Sequence, residues 1–172
     1  MISAYPNGSK VIYGIHGVCS ILETEVKRID RKNVEYYVLQ PLDHPDARYY
    51  IPVHSPAAVS KMCPILTKAE IDSLLNDPNI YTQSWIDDEN ERRQLYKTVI
   101  SGGDRSKLIG LVSMLHYHRK RQLDSGRKFH TCDENFLRDA EKIISGELSL
   151  VLNIPRDEVG QYIHNFAGER LE

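Results

Sequence analysis

What constrains this chain most is a change of hydrophobic period about one third of the way along it. Up to about residue 55 the apolar residues come in short runs with partial two-residue alternation. The runs are Lys10-Val11-Ile12-Tyr13-Gly14, Gly17–Leu22 continuing towards Val26 and Ile29, Val34–Leu39 and Arg48–Val53. They are rich in aromatic and β-branched residues and predict strands. Arg31-Lys32-Asn33 is a polar break consistent with a turn between two of them. No helical pattern intervenes, and short strands joined by tight turns predict a small barrel. A strand near an open edge of such a sheet can also pair with a partner's strand.

Pro52, Pro56 and Pro64 punctuate the chain, and beyond them the period becomes helical. Thr67-Lys68-Ala69-Glu70 has capping-box spacing and opens a short helix through Ile71, Leu74 and Leu75, ended before Asp77-Pro78. A second helix is predicted from Trp85 towards Ile100, with Ser84 as N-cap and Leu95 and Val99 on its inner stripe. Ser101-Gly102-Gly103-Asp104 breaks it. Leu108, Leu111, Val112 and Leu115 mark a third helix, ended by Ser125-Gly126. Thr131-Cys132-Asp133-Glu134 is predicted to cap a fourth, burying Leu137, Ala140, Ile144, Leu148 and Val151. Pro155 suits the first turn of a fifth, through Val159, Ile163 and Phe166. The expected fold class is α+β: a β-barrel over residues 1–55, a linker over 56–66 and a five-helix domain over 67–172.

Charge narrows the function. The net charge is -2, so the molecule as a whole is not a basic nucleic-acid binder. Between Arg92 and Lys128, however, ten Lys/Arg stand against two acids, Asp104 and Asp124. That local excess predicts a basic face, with a solvated helix face balanced by spatial neighbours as the alternative. Arg92, Arg93, Tyr96 and Lys97 fall at i,i+4 spacings and form one candidate patch; Arg119, Lys120 and Arg121 form another. Trp85 is the only Trp in the chain. An apolar ring at a helix start with basic residues one or two turns on can act as a wedge against nucleic acid; a core Trp is the other reading. Asp88–Arg92 and Glu89–Arg93 are also i,i+4 pairs that could satisfy each other.

The chain carries no G-x-S-x-G, no Gly-rich phosphate loop and no H-E-x-x-H, so no enzymatic activity and no cofactor are expected. His116-x-His118 comes closest to a metal motif, but i,i+2 residues diverge on a helix. Cys19, Cys63 and Cys132 are odd in number and widely spaced, which predicts no disulfide and a reducing compartment. With no basic n-region at the start and no apolar run near 18 residues, the expected location is the cytoplasm.

Lys10-Val11-Ile12-Tyr13-Gly14-Ile15-His16-Gly17-Val18-Cys19-Ser20-Ile21 resembles the opening signature of the CarD/CdnL family of bacterial transcription factors, roughly G-D-x-V-V-Y-P-x-H-G-V-G-x-I. Glu35–Leu39 and Tyr50–Val53 stand where the family has its next strands. Trp85, a basic-aromatic stretch, Ser101–Asp104 and Ser145-Gly146-Glu147-Leu148 continue the order. The departures are Asn7-Gly8-Ser9 in place of G-D, Gly14 in place of Pro, Cys19 in place of Gly, and an acidic start to the stretch after Trp85. The resemblance implies a Tudor/SH3-like barrel that binds the β subunit of bacterial RNA polymerase, at or beside Lys27, Tyr49, Tyr50 and Ile51. It implies a helical domain that touches promoter DNA at the upstream edge of the melted region. There a Trp at the position of Trp85 wedges into the minor groove and stabilises the open complex, which puts Trp85, Arg92, Arg93, Lys97, Arg119, Lys120 and Arg121 in the candidate DNA-binding set. The alternative is a polymerase-binding or other interaction module whose helical half binds protein rather than DNA.

Overall fold

A computed structural model describes residues 5–168. The chain divides into two compact units, Met1–Ile65 and Leu66–Glu172.

The first unit is built on one antiparallel sheet of β1 (Lys10–Tyr13), β2 (Val18–Ile29), β3 (Lys32–Pro41), β4 (Tyr49–Pro52) and β5 (Met62–Pro64), in the order β4-β3-β2-β1-β5. The strands expected of a barrel form this five-stranded sheet, with β4 and β5 at the two ends of the order. The expected linker over 56–66 is not one. Ser55 caps a short helix, α1 (Pro56–Val59), and β5 pairs with β1 through Val11↔Pro64, Ile12↔Cys63 and Tyr13↔Met62. Three residues ending in Pro gave too short a signal for a strand, yet pairing with β1 makes them part of the sheet. The β2–β3 turn lies at Asp30 and Arg31, one residue before the predicted position, with φ of 48° and 64°. Two central residues with positive φ match the twist of a tight hairpin, and Asp-Arg is a weak sequence signal for it.

Alternation sends Val11, Cys19, Ile21, Tyr37, Leu39, Ile51 and Met62 into one core. Tyr5 ties the strand ends together: its hydroxyl donates to the Met62 carbonyl at 3.1 Å. Gly14 has a φ of 49°. The Pro of the family signature cannot adopt that backbone, so the substitution and the local 3-10 turn Gly14–His16 go together.

The second unit contains, among the described residues, α2 (Lys68–Asn76), a 3-10 turn (Pro78–Tyr81), α3 (Glu89–Gly102), α4 (Arg105–Asp124), α5 (Thr131–Leu152), a 3-10 turn (Arg156–Glu158) and α6 (Val159–Ala167). The Thr67/Glu70 capping box forms in both directions. Ser101-Gly102-Gly103-Asp104 works as a double boundary: Gly103 closes α3 in the left-handed region, and the Asp104 carboxylate caps α4 by accepting from the Lys107 amide at 3.1 Å. Leu108, Leu111, Val112 and Leu115 of α4, with Leu137, Ala140, Ile144 and Leu148 of α5, are buried as predicted; Val151 is half-buried against them.

Two features of this core are not in the sequence pattern. Glu147 is 2 % exposed and binds Arg105 through two oxygens, at 2.7 and 2.9 Å, while accepting the Leu66 amide at 2.8 Å. The carboxylate thereby fixes the first residue of the unit to α5 and α4. The α3 register also differs. The helix starts at Glu89 with Asp88 as N-cap, four residues after the predicted start, and Ser84–Asp88 precedes it without helical structure. The Asp88 carboxylate accepts the Glu91 amide at 2.8 Å. Arg92 holds the preceding segment by donating to the carbonyls of Ile86 and Asp87 at 2.8 and 3.2 Å. The buried stripe is consequently Arg92, Tyr96 and Val99, and Leu95 is 43 % exposed rather than inside. The cap of the fourth predicted helix also moves: His130 is the N-cap of α5 and makes no side-chain cap bond, and Asp133 in the first turn binds Arg92.

Candidate functional site

The polymerase-facing candidates separate by strand alternation. In β4, Tyr49 and Ile51 point to one face and Tyr50 to the other. Ile51 is 3 % exposed in the core and is withdrawn from the contact set. Tyr49 is half-buried against His16, with ring centroids 4.4 Å apart, and Tyr13 at 6.1 Å. Tyr50 is 42 % exposed. The Lys27 ammonium sits 3.4 Å from the centre of its ring, and Tyr36 meets it edge-on at 6.3 Å. Lys27 also lies 3.8 Å from Glu25. The outer face of the sheet therefore presents a small platform of Tyr36, Tyr50 and Lys27. Tyr36 was missed from the sequence, although the register places it directly opposite Glu25 and one step diagonally from Tyr50. β4, the strand that carries Tyr50, ladders only with β3 among the described residues, so its other edge is open.

In the helical unit three of the candidates, Arg92, Arg93 and Arg119, meet the first turn of α5. Cys132, Asp133 and Glu134 each take one arginine. Arg93 donates through Nε to the Cys132 sulfur at 3.1 Å and pairs with Glu89 at 2.8 Å. Arg92 donates to both oxygens of Asp133, Nε to Oδ1 at 2.9 Å and Nη2 to Oδ2 at 3.1 Å. Arg119 pairs with Glu134 at 3.2 Å. The acids suit a helix N-terminus on their own account, since the dipole favours negative charge there. Arg92 is 4 % exposed, all its donors face inward, and it is not available to a phosphate. Arg93 is exposed but engaged, Arg119 is half-exposed and engaged, and Lys97, Lys120 and Arg121 are exposed. Arg121 lies 5.7 Å over the Tyr117 ring.

Trp85 lies between the two readings the sequence left open, neither freely exposed nor fully buried. It is half-buried and packs against the helical core. The His118 imidazole lies flat on it, with ring centroids 3.4 Å apart and planes 9° from parallel. The Arg92 guanidinium carbon is 4.4 Å from the ring centre. Phe129 and Gln122 complete the surroundings of His118, with Phe129 at 6.3 Å between centroids and the Gln122 amide nitrogen 3.1 Å from His118 Nε2. Burial holds the His118 imidazole below its ordinary pKa; Asp133 and Asp87 oppose the shift, and Arg92 and Arg121 add to it. No sequence signal links residues 85 and 118; they meet only because α3 and α4 pack together.

His116 and His118 do not converge. His116 Nε2 lies 2.5 Å from Glu141 Oε1, beneath α6, whereas His118 turns to Trp85. Among the described residues no group of three or more His, Cys, Asp or Glu could hold a metal ion. Cys19, Cys63 and Cys132 are free thiols, and among the described residues no helix is long and apolar enough to cross a membrane.

Residues 5–63 match the family model of the CarD-like/TRCF RID domain. The match takes in most of the N-terminal unit and about a third of the chain, and the similarity to this family is shown over those residues. The match ends at Cys63, inside β5, so the RID domain includes the pairing of β5 with β1 and extends past residue 55. A RID domain is an RNA polymerase-interacting domain, and the platform of Tyr36, Tyr50 and Lys27 lies within it. No curated protein matches the chain.

Proposed function

We propose that this protein is a bacterial transcription regulator. Its RID domain docks on the β subunit of RNA polymerase, and its helical unit contacts promoter DNA at the upstream edge of the bubble and stabilises the open complex. It acts by binding rather than by catalysis. The observation that carries the reading is the RID match over residues 5–63, supported by the exposed Tyr50 face beside the open β4 edge. Main-chain pairing at such an edge provides affinity while side chains on alternate positions provide selectivity.

The DNA contact rests on Trp85, on Arg93 and Arg119 at α5's first turn, and on the exposed Lys97, Lys120 and Arg121. Arg93, Lys97, Arg119, Lys120 and Arg121 remain the phosphate-facing candidates. An apolar ring inserted at a base step costs a few kcal/mol of unstacking, recovered through contact with the distorted duplex. A second reading is favoured by one observation: Arg93 and Arg119 already have acidic partners, Glu89 and Glu134. On that reading the helical unit binds protein, and its charges are a balanced surface.

The test has two parts. A pull-down with bacterial RNA polymerase core enzyme should retain the protein; failure to do so removes the whole reading. Trp85→Ala should leave that retention unchanged but shorten open-complex lifetime on a promoter where the wild type lengthens it. Because Trp85 packs against the core, the variant must be assayed below its own melting temperature. Unchanged lifetime with retained polymerase binding would transfer support to the protein-binding reading.

A further inference from the structure

The face-to-face contact between Trp85 and His118 is not required by packing alone, since an aliphatic side chain at 118 would also cover the indole. What imidazole supplies is a flat surface of matching orientation, 9° from parallel, on a group that changes charge near neutral pH. The groups facing it come from every element around it. Arg121 and Gln122 lie on α4 itself, Arg92 on α3, Asp87 just before α3, and Asp133 on α5. Arg92 cannot withdraw, because both oxygens of Asp133 and two backbone carbonyls hold it. A proton added to His118 thus places a second cation beside an immobile guanidinium, over the same ring.

We propose that His118 is the positioning residue for Trp85: its neutral imidazole holds the indole in one orientation for DNA, and charging it loosens that hold. The inference rests on the wedge reading for its functional consequence, but the seat itself is a property of the free protein. Burial is the main reason the imidazole stays neutral, and the indole supplies part of that burial. An imidazole freed from the indole therefore binds its proton more readily. By linkage, acid favours the unseated ring. The stabilisation of the seated form is complete above the ordinary histidine value and is lost as pH falls through the lowered one.

Trp85 is the only Trp, so tryptophan fluorescence reports the surroundings of this ring alone, and the variant at 118 isolates the histidine's share. In the wild type, emission should change with pH at a midpoint below that of a free histidine, with the far-UV spectrum constant. His118→Phe keeps a flat ring but no titration, and its emission should be flat over the same range. A transition that persists in His118→Phe, or no transition in the wild type, overturns the proposal. On a promoter, His118→Phe should keep open-complex lifetime close to wild type, while His118→Ala should shorten it about two- to tenfold, the value of one stacked aromatic pair. Lifetime in His118→Ala equal to wild type, where Trp85→Ala shortens it, overturns the positioning role. If Trp85→Ala itself has no effect, the wedge reading fails, and the fluorescence titration still decides whether His118 seats the ring.

Discussion

Replacing Asp133 with Ala tests the reassignment of Arg92 from a DNA contact to a structural cation. In the wild type the two side chains are 5 % and 2 % exposed and share two hydrogen bonds of 2.9 and 3.1 Å. Removing the carboxylate leaves a guanidinium with two of its four hydrogen bonds unmade and no countercharge within reach on α5. Breaking a buried pair by deleting one partner costs about 3–5 kcal/mol, mostly the penalty of an uncompensated charge. The lower part of that range is expected here, because Arg92 keeps the carbonyls of Ile86 and Asp87 and water can enter the space left by the carboxylate. Urea unfolding followed by far-UV circular dichroism measures it directly, with an unchanged slope confirming that the folded state is still compact. Arg92→Met combined with Asp133→Ala should recover much of the loss, since no charge then remains buried. A cost below about 1 kcal/mol for Asp133→Ala, which is the range of an exposed pair, would refute this account and return Arg92 to the surface.

Three further outcomes follow from the same geometry. Tyr50→Ala should weaken binding to polymerase core enzyme by about 2 kcal/mol, roughly thirtyfold, with the fold intact, whereas Ile51→Ala should instead destabilise the first unit by about 2–5 kcal/mol; equilibrium binding and thermal melting on both variants separate contact from core. Changing Arg119, Lys120 and Arg121 together to Ala should lower DNA affinity alike across sequences and reduce the salt slope by about one per lost phosphate contact, and an unchanged slope assigns them to a solvated face. Gly110→Ala should destabilise the helical unit by about 1–3 kcal/mol despite the gain in helix propensity, because the added methyl would stand 2.5 Å from the Ile80 carbonyl oxygen; a raised melting temperature would show that the Pro78–Tyr81 turn can move aside.

The sequence was most informative where a feature is completed by near neighbours. Thr67 and Glu70 cap each other across three residues, so the first turn of α2 could be read directly. Gly103 and Asp104 end one helix and begin the next by their own backbone freedom and side-chain reach. Two-residue alternation located four of the five strands, and helical spacing found the buried stripes of α4 and α5, because each period is a property of one element. β5 escaped: three residues carry no period, and only pairing with β1 makes them a strand.

The charged and aromatic residues were decided by contacts across the fold. Arg92 stood in the sequence as one of ten basic residues, with a plausible partner at Asp88. Tertiary packing gave it Asp133 instead, 41 positions away, and used Asp88 to cap α3. That single exchange shifted the start of α3, buried a cation, and brought its guanidinium over Trp85. Trp85 could be recognised as unusual from its uniqueness, but its resting place on His118 depends on α3 and α4 lying side by side. Composition counts charges and spacing orders them along a helix. Which charges face water depends on the desolvation cost each one meets in the packed interior and on whether a partner there can offset it, and both are set only when distant segments come together.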